Sequence, residues 1–358
     1  MTSPSIFYFV NAEGSGHTRR AEAILPFLDM PVVLASENPA LFKQADSPHS
    51  LYPLPSLRST GDRQLADDVL HLPYGRDRAY LPRVQAIVDL CQQHRCALAV
   101  IDVCAETAMI MRLCGIPYLY MRMSGKRDDA AHLQSYRAAV GLIASYPQAF
   151  EENWVPDWIR QKTCYVGGIA SSKLIQVQEK PITPKPYVLV MRGKGTSQIT
   201  LAAIASAAAF IPDYYWMGIG FEQAHTGQNF AVLPYVSDPI AYLQSAAIAI
   251  ANTGNNSVLE VGFQAKPFIT LPEWRFFDEQ MAKAAMLAQH HLAVVLREWP
   301  QTGEAWQSVL AQTASLRPQR WPEILSSDGA QQAAAYITNQ FEQFSPPSPY
   351  AAQSTAKG

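Results

Sequence analysis

Residues 246–271 read AAIAIANTGNNSVLEVGFQAKPFITL, and the order of textures in that run decides the fold. Ile248–Ala251 is a short apolar run, suited to a strand buried on both faces of a parallel sheet. Asn252–Asn256 is a polar turn with Gly254 at its centre, where a left-handed or closely approached backbone is easy. Ser257 and Glu260 have the S-x-x-E spacing of a capping box, which predicts a helix start there. Gly262 and Ala265 leave little side chain where that helix meets the sheet. Lys266-Pro267 ends the helix, and Phe268–Leu271 reads as the next strand. A strand, a glycine-bearing turn and a helix N-terminus together present backbone N–H groups and a positive dipole end to an anion, typically phosphate.

This run resembles the donor-binding signature of GT-B glycosyltransferases. The likeness is closest to the family 28-like group that includes the enzyme adding N-acetylglucosamine to the peptidoglycan lipid precursor. Thr253-Gly254-Asn255-Asn256-Ser257-Val258-Leu259-Glu260, then Ala265-Lys266-Pro267, then Asp278-Glu279-Gln280, follow that signature in order and spacing. Thr253-Gly254-Asn255 stands where the family often has His or Ser-Gly-Gly, and Lys283-Ala284 where it often has Asn-Ala. The resemblance implies that Glu260 binds a ribose diol, since a carboxylate can accept from two neighbouring hydroxyls. It implies that Glu279 and Gln280 read sugar hydroxyls, and that the backbone of Val236 meets the nucleotide base with Tyr235 packing beside it. Read without the family, Glu260 is a helix cap, Glu279 and Gln280 a polar helix start, and Tyr235 and Val236 equally core residues.

Composition bounds the reading. The chain has 358 residues, enough for two domains of ordinary size. Its 48% hydrophobic and 16% charged content describe a well-packed globular protein. A formal net charge of −2 carries no nucleic-acid footprint. No signal sequence is visible, and no apolar run reaches the roughly 18 residues needed to span a bilayer. The five cysteines, Cys91, Cys96, Cys104, Cys114 and Cys164, have no metal-ligand spacing and read mostly as reduced core thiols. These points predict a cytoplasmic protein, with contact at the inner face of the membrane as an option.

Working outward, the first half alternates strands and helices. Ile6–Val10 is a first strand, followed by Asn11-Ala12-Glu13-Gly14-Ser15-Gly16-His17-Thr18 and a helix from about Thr18 to Leu28. A dinucleotide fingerprint, G-x-G-x-x-G, fails there because Arg19 holds its third glycine position. The alternative is the G-x-G-H turn of the GT-B N-terminal domain, with Gly14, Ser15 and Gly16 as an acceptor-side loop. Residues 38–83 read as irregular and proline-rich, either an acceptor-shaping segment or a surface insertion. Ala97–Val103 is a buried strand that places Asp102 and, just beyond it, Glu106 at the C-terminal edge of a parallel sheet. Tyr165–Ile169 leads into a hinge. Tyr187–Met191 restarts the pattern, and Arg192-Gly193-Lys194-Gly195-Thr196-Ser197 resembles the family's second glycine-rich donor loop. Gly329–Phe344 is amphipathic; in GT-B proteins such a helix crosses back to the first domain.

The expected fold is therefore α/β, of GT-B architecture, with two Rossmann-like domains facing a cleft. Boundaries fall at 1–168, a hinge 169–186, a donor domain 187–328, a crossover helix 329–344 and a disordered tail 345–358. The expected activity is transfer of a hexose or N-acetylhexosamine from a nucleotide sugar, UDP-linked in the first instance, to a hydroxyl acceptor that is lipid-linked, polysaccharide or small. Inversion at the anomeric carbon follows from the resemblance. No metal and no cofactor beyond the nucleotide-sugar co-substrate is expected: backbone N–H groups, with Arg192 or Lys194, would meet the leaving diphosphate. His17 is the main candidate base, with Asp102 and Glu106 as rivals. Two other readings stay open: a non-catalytic nucleotide-sugar-binding subunit, and a UDP-sugar 2-epimerase of the same fold.

Overall fold

The computed structural model describes residues 3–13, 15–42, 49–57, 68–72, 80–170, 185–193, 198–236 and 238–345. Its first half runs β1 (Ser5–Val10), α1 (Ser15–Ile24), β2 (Val32–Ser36), β3 (Ser50–Pro53), α2 (Tyr80–Gln93), β4 (Cys96–Asp102), α3 (Ala105–Leu113), β5 (Tyr118–Arg122), α4 (Ala130–Ala138), β6 (Gly141–Ala144), α5 (Asp157–Gln161) and β7 (Thr163–Tyr165). The strands form one parallel sheet in the order β3-β2-β1-β4-β5-β6-β7. Strand β1, with every residue buried, reads SIFYFV because helices cover both of its faces.

The second half repeats the plan: β8 (Tyr187–Met191), α6 (Leu201–Phe210), β9 (Tyr215–Phe221), β10 (His225–Thr226), β11 (Phe230–Pro234), α7 (Ile240–Ser245), β12 (Ile248–Ala251), α8 (Asn255–Phe263), β13 (Phe268–Thr270), α9 (Glu279–Gln289), β14 (Ala293–Val295), α10 (Gly303–Ala314), α11 (Trp321–Ile324) and α12 (Gly329–Phe344). Its order is β10-β11-β9-β8-β12-β13-β14, parallel except for the short β10–β11 hairpin. Both orders reverse direction beside their first strand, between β1 and β4 and between β8 and β12. In open α/β sheets such switch points open the crevice in which ligands bind.

Helix α12 closes the molecule. Ala330, Ala333, Ala334, Ile337 and Phe341 form one helical stripe, and all five pack into the core of the first sheet with Ile6, Tyr8, Leu98 and Val100. The chain thus returns to the first domain, as the amphipathic pattern of 329–344 predicts. Two expectations are corrected. The irregular 38–83 stretch contains β3, paired along β2. Helix α8 starts at Asn255 with Gly254 as its N-cap, so Ser257 lies inside its first turn and forms no capping box with Glu260. Among the described residues, no helix is long and apolar enough to cross a membrane. The Lys194–Ser197 part of the donor loop, Gly14, the 171–184 part of the hinge and the tail beyond 345 lie outside the described residues.

Candidate functional site

Loops at the C-terminal edges of both sheets enclose a cavity of about 720 Å³. The turn after β1 and the end of β4 bring His17 and Asp102 together from the first domain. The loops after β8 and β12 bring Arg192, Gly193 and Asn252–Ser257 from the second. Gly16, His17, Glu106, Arg192, Gly193, Tyr235, Val236, Gly254, Asn255, Asn256, Ser257, Glu260, Glu279 and Gln280, all singled out in the sequence, line this one cavity. Thr253 stands just behind it, fully buried, and its Oγ1 donates to the Gln280 carbonyl at 2.9 Å, tying the start of α8 to that of α9.

On the second-domain side, Asn252 Oδ1 accepts the Gly254 N–H at 3.1 Å and shapes the turn. Among the described residues, no side chain caps α8. Its first N–H groups are thereby open to an anion at the positive end of the helix dipole. Gly193 approaches so closely that a Cβ there would lie 2.6 Å from Asn252 Nδ2. The Arg192 guanidinium sits 5.7 Å over the Phe221 ring, and its buried Nε has no hydrogen-bond partner among the described residues. Gln280 Oε1 accepts the Glu273 N–H at 2.9 Å, and its Nε2 has no partner among the described residues. Immediately before it, Phe277 and Asp278 both hold left-handed backbone angles, φ +61° and +52°, which side chains with a Cβ resist.

On the first-domain side, Asp102 is fully buried and accepts from Arg20 at both oxygens, Nη2 to Oδ1 at 2.6 Å and Nε to Oδ2 at 3.3 Å. His17 Nδ1 lies 3.1 Å from the same Oδ1. Burial pushes the Asp102 carboxyl up, but Arg20 and His17 outweigh it and hold Asp102 below the usual carboxylate value. Asp102 itself is not part of the cavity lining. Arg20 Nη2 also lies 2.9 Å from His17 Nδ1. Arginine only donates, so Nδ1 either accepts from Arg20 or donates its proton to Asp102; the second tautomer leaves an Nε2 lone pair free. Glu106 lines the cavity. Its Oε1 accepts the His71 and Leu72 backbone N–H groups at 2.8 and 3.0 Å, so it braces the 68–72 segment along the cavity wall.

Three groups in the cavity escaped the sequence reading. Arg19, visible only as the residue that breaks a glycine fingerprint, reaches Glu260 Oε1 at 2.9 Å and the Tyr235 hydroxyl at 3.2 Å. Arg127 reaches Glu279 Oε2 at 3.2 Å. Asp129 caps α4 and gathers His71 Nε2 at 3.0 Å and His132 Nδ1 at 2.6 Å. His71, Asp129 and His132 are close enough to share a cation. However, Arg127 Nη1 stands 3.2 Å from His132 Nε2, so that ring uses Nε2 to accept and Nδ1–H to donate. Burial pushes His132 down to about 4, which keeps it neutral in this role. The i,i+3 spacing of His17 with Arg20 and of Asp129 with His132 was the available signal, because such residues share a helix face or a cap.

Residues 218–335 match the model of the glycosyltransferase family 28 C-terminal domain. Over this stretch the second half of the chain is similar to that family. The whole chain superposes on GT-B enzymes at low identity. The calicheamicin glycosyltransferase CalG4 is 15% identical with a TM-score of 0.68, over 97% of this chain and 100% of that one. MurG of Acinetobacter baumannii is 17% identical with a TM-score of 0.61, over 95% and 100%. The spinosyn rhamnosyltransferase SpnG, solved with thymidine diphosphate, is 14% identical with a TM-score of 0.63, over 99% and 100%. A comparison with curated protein sequences yields no match. At these identities the superpositions establish the GT-B frame, and the family 28 C-terminal match falls in its second half.

Proposed function

We propose that this GT-B protein is a glycosyltransferase that moves a hexose or N-acetylhexosamine from a nucleoside-diphosphate sugar to a hydroxyl acceptor, with inversion. One observation carries the reading. The open N-terminus of α8 with Glu260, and His17 backed by the buried Asp102, face one cavity from opposite domains. The first arrangement suits a diphosphate and its ribose; the second suits removal of a hydroxyl proton.

In this mechanism Glu260 accepts from the ribose hydroxyls, and Gln280 with Glu279 contacts the sugar. Val236 and Tyr235 lie beside the base. Backbone N–H groups of Asn255, Asn256 and Ser257, with Arg192, meet the charge of the leaving diphosphate, so the reading needs no resident metal or cofactor. His17 Nε2 takes the acceptor proton, and the imidazolium then donates Nδ1–H to ionised Asp102. The acceptor oxygen bonds to the anomeric carbon as the bond to the diphosphate breaks on the other face. Gly16 and the 68–72 segment lie on the acceptor side, which can hold the end of a lipid-linked, polysaccharide or small acceptor at the inner face of the membrane or in the cytoplasm. UDP is the first candidate nucleotide; thymidine diphosphate, bound by the SpnG neighbour, is its rival.

The test is a transfer assay with UDP- and dTDP-sugars on wild type and His17→Ala, paired with calorimetric titration of the free diphosphates. Loss of a general base predicts a fall in kcat of about 10²–10⁴-fold with diphosphate affinity retained. Transfer that survives the substitution would remove His17 as the base. Absence of binding by any nucleoside diphosphate would remove the donor reading.

A further inference from the structure

Glu260 is surrounded by groups from two domains. It projects from α8 and is buried; its Oε1 accepts from Arg19 Nη1 at 2.9 Å, and Oε2 has no partner among the described residues. Arg19 belongs to the first turns of α1, lines the cavity, and is itself held by the Tyr235 hydroxyl at 3.2 Å, just past the end of β11. Asp238, ahead of α7, is the other charge that acts on Glu260. The arrangement is repeated at the second donor-side carboxylate: Glu279 of α9 meets Arg127 of the first domain at 3.2 Å. Each acid that the second domain offers to the donor thus faces an arginine from the first.

We propose that Arg19 is a positioning residue of the donor site: from the first domain it offsets the charge of Glu260 and aims that carboxylate at the ribose of the nucleotide. The proposal rests on the nucleotide-donor reading. Its logic is electrostatic and geometric. A buried carboxylate next to an incoming diphosphate is repelled unless a cation offsets it. Arg19 offsets it through one lone pair of Oε1, leaving the second lone pair and all of Oε2 for two ribose hydroxyls. Because the cation and the carboxylate sit on different domains, the donor site is complete only when the cleft is closed as it is here.

The same geometry sets a pH dependence. Burial pushes Glu260 up to about 7; Arg19 opposes that rise and Asp238 adds to it. A protonated carboxyl donates one hydrogen and loses acceptor capacity, so donor affinity falls as the pH drops through that value. Without Arg19 the carboxyl is pushed higher, and the fall begins at higher pH.

The experiment is calorimetric titration of UDP into wild type, Arg19→Ala and Arg19→Lys between about pH 6 and 9. We expect Arg19→Ala to bind about tenfold more weakly near neutrality. Its loss should shrink as the pH rises, its pH midpoint should lie above that of wild type, and Arg19→Lys should restore most of the affinity. Thermal melting of each variant reports whether the fold is intact, and truncating Arg19, whose side chain is 37% exposed, should leave it so. Equal or tighter binding by Arg19→Ala across the range overturns the proposal, since Arg19 is then a bystander or a blocking latch. A loss that ignores pH and that lysine does not restore also overturns it, assigning Arg19 a direct bidentate contact with the nucleotide. If wild type binds neither UDP nor dTDP, GDP or CMP, the donor reading itself fails and this inference goes with it.

Discussion

At the residue scale, the Arg20–Asp102 pair is the most deeply buried ion pair among the described residues. Both side chains are almost fully buried, at 1% and 0% exposure. Removing one partner of such a pair strands the other charge, so Arg20→Ala should lower the unfolding free energy by about 3–5 kcal/mol, measured by urea denaturation. The pH dependence has a definite sign. Asp102 is held below its ordinary value, so its contribution is complete above the unfolded carboxylate value of about 3.9 and is lost as the pH falls below that. Asp102→Asn probes the other role. An amide can still meet Arg20 but cannot stabilise the imidazolium of His17, so kcat should fall far more than donor affinity. Steady-state kinetics alongside UDP titration separates the two. His17 and Asp102 were legible in the sequence as a turn residue and a strand-end acid. That Arg20 contests both was not, because an arginine in a helix ordinarily reads as surface.

At the element scale, glycines mark where segments touch. Gly329 opens α12 against the hinge, and a Cβ there would lie 1.9 Å from the Gly168 carbonyl oxygen and 2.4 Å from that of Val166. Both obstacles are backbone, so the clash cannot be relieved by a side-chain rotation. Gly329→Ala should therefore cost about 1–3 kcal/mol or more, read as a lowered midpoint in thermal melting. Gly168 has φ +124°, a conformation open mainly to glycine. The Gly167-Gly168 pair was visible as a hinge candidate; its contact with Gly329 was not, since it joins segments far apart in sequence. Helix α8 teaches the converse. Its S-x-x-E spacing suggested a capping box, yet Asx-turn geometry at Asn252 lets the helix begin earlier at Asn255. The N–H groups a cap would have used remain open.

At the scale of the whole molecule, the cores on the faces of the two sheets and the contacts across the cleft define the working unit. The stripe of α12 fills the first sheet's core, with Ile337 fully buried. Ile337→Ala should cost about 2–5 kcal/mol, and hydrogen exchange should show the loss in β1 and β4 of the first domain, although residue 337 follows the second domain in sequence. Across the cleft, the Lys126 N–H donates to the Phe277 carbonyl at 2.7 Å, beside the Arg127–Glu279 pair. The strained Phe277–Asp278 turn is thus gripped by the first domain, just before the residues that face the sugar.

The sequence by itself determined the α/β class, the repeated strand–turn–helix plan, the crossover helix and a share of the residues that line the cavity, chiefly those of the glycine-bearing turns. These are local properties: apolar runs, glycine turns and the spacing of a helical stripe act through neighbours along the chain. Only the tertiary structure decided which of those residues are partnered. It put Glu106 on a backbone segment, Asp102 on Arg20, and Glu260 and Glu279 on arginines of the opposite domain. Partner choice for a buried charge depends on whatever the fold brings within about 3 Å, and pairs such as Arg19 with Glu260 are set by how two domains close, not by anything written beside either residue.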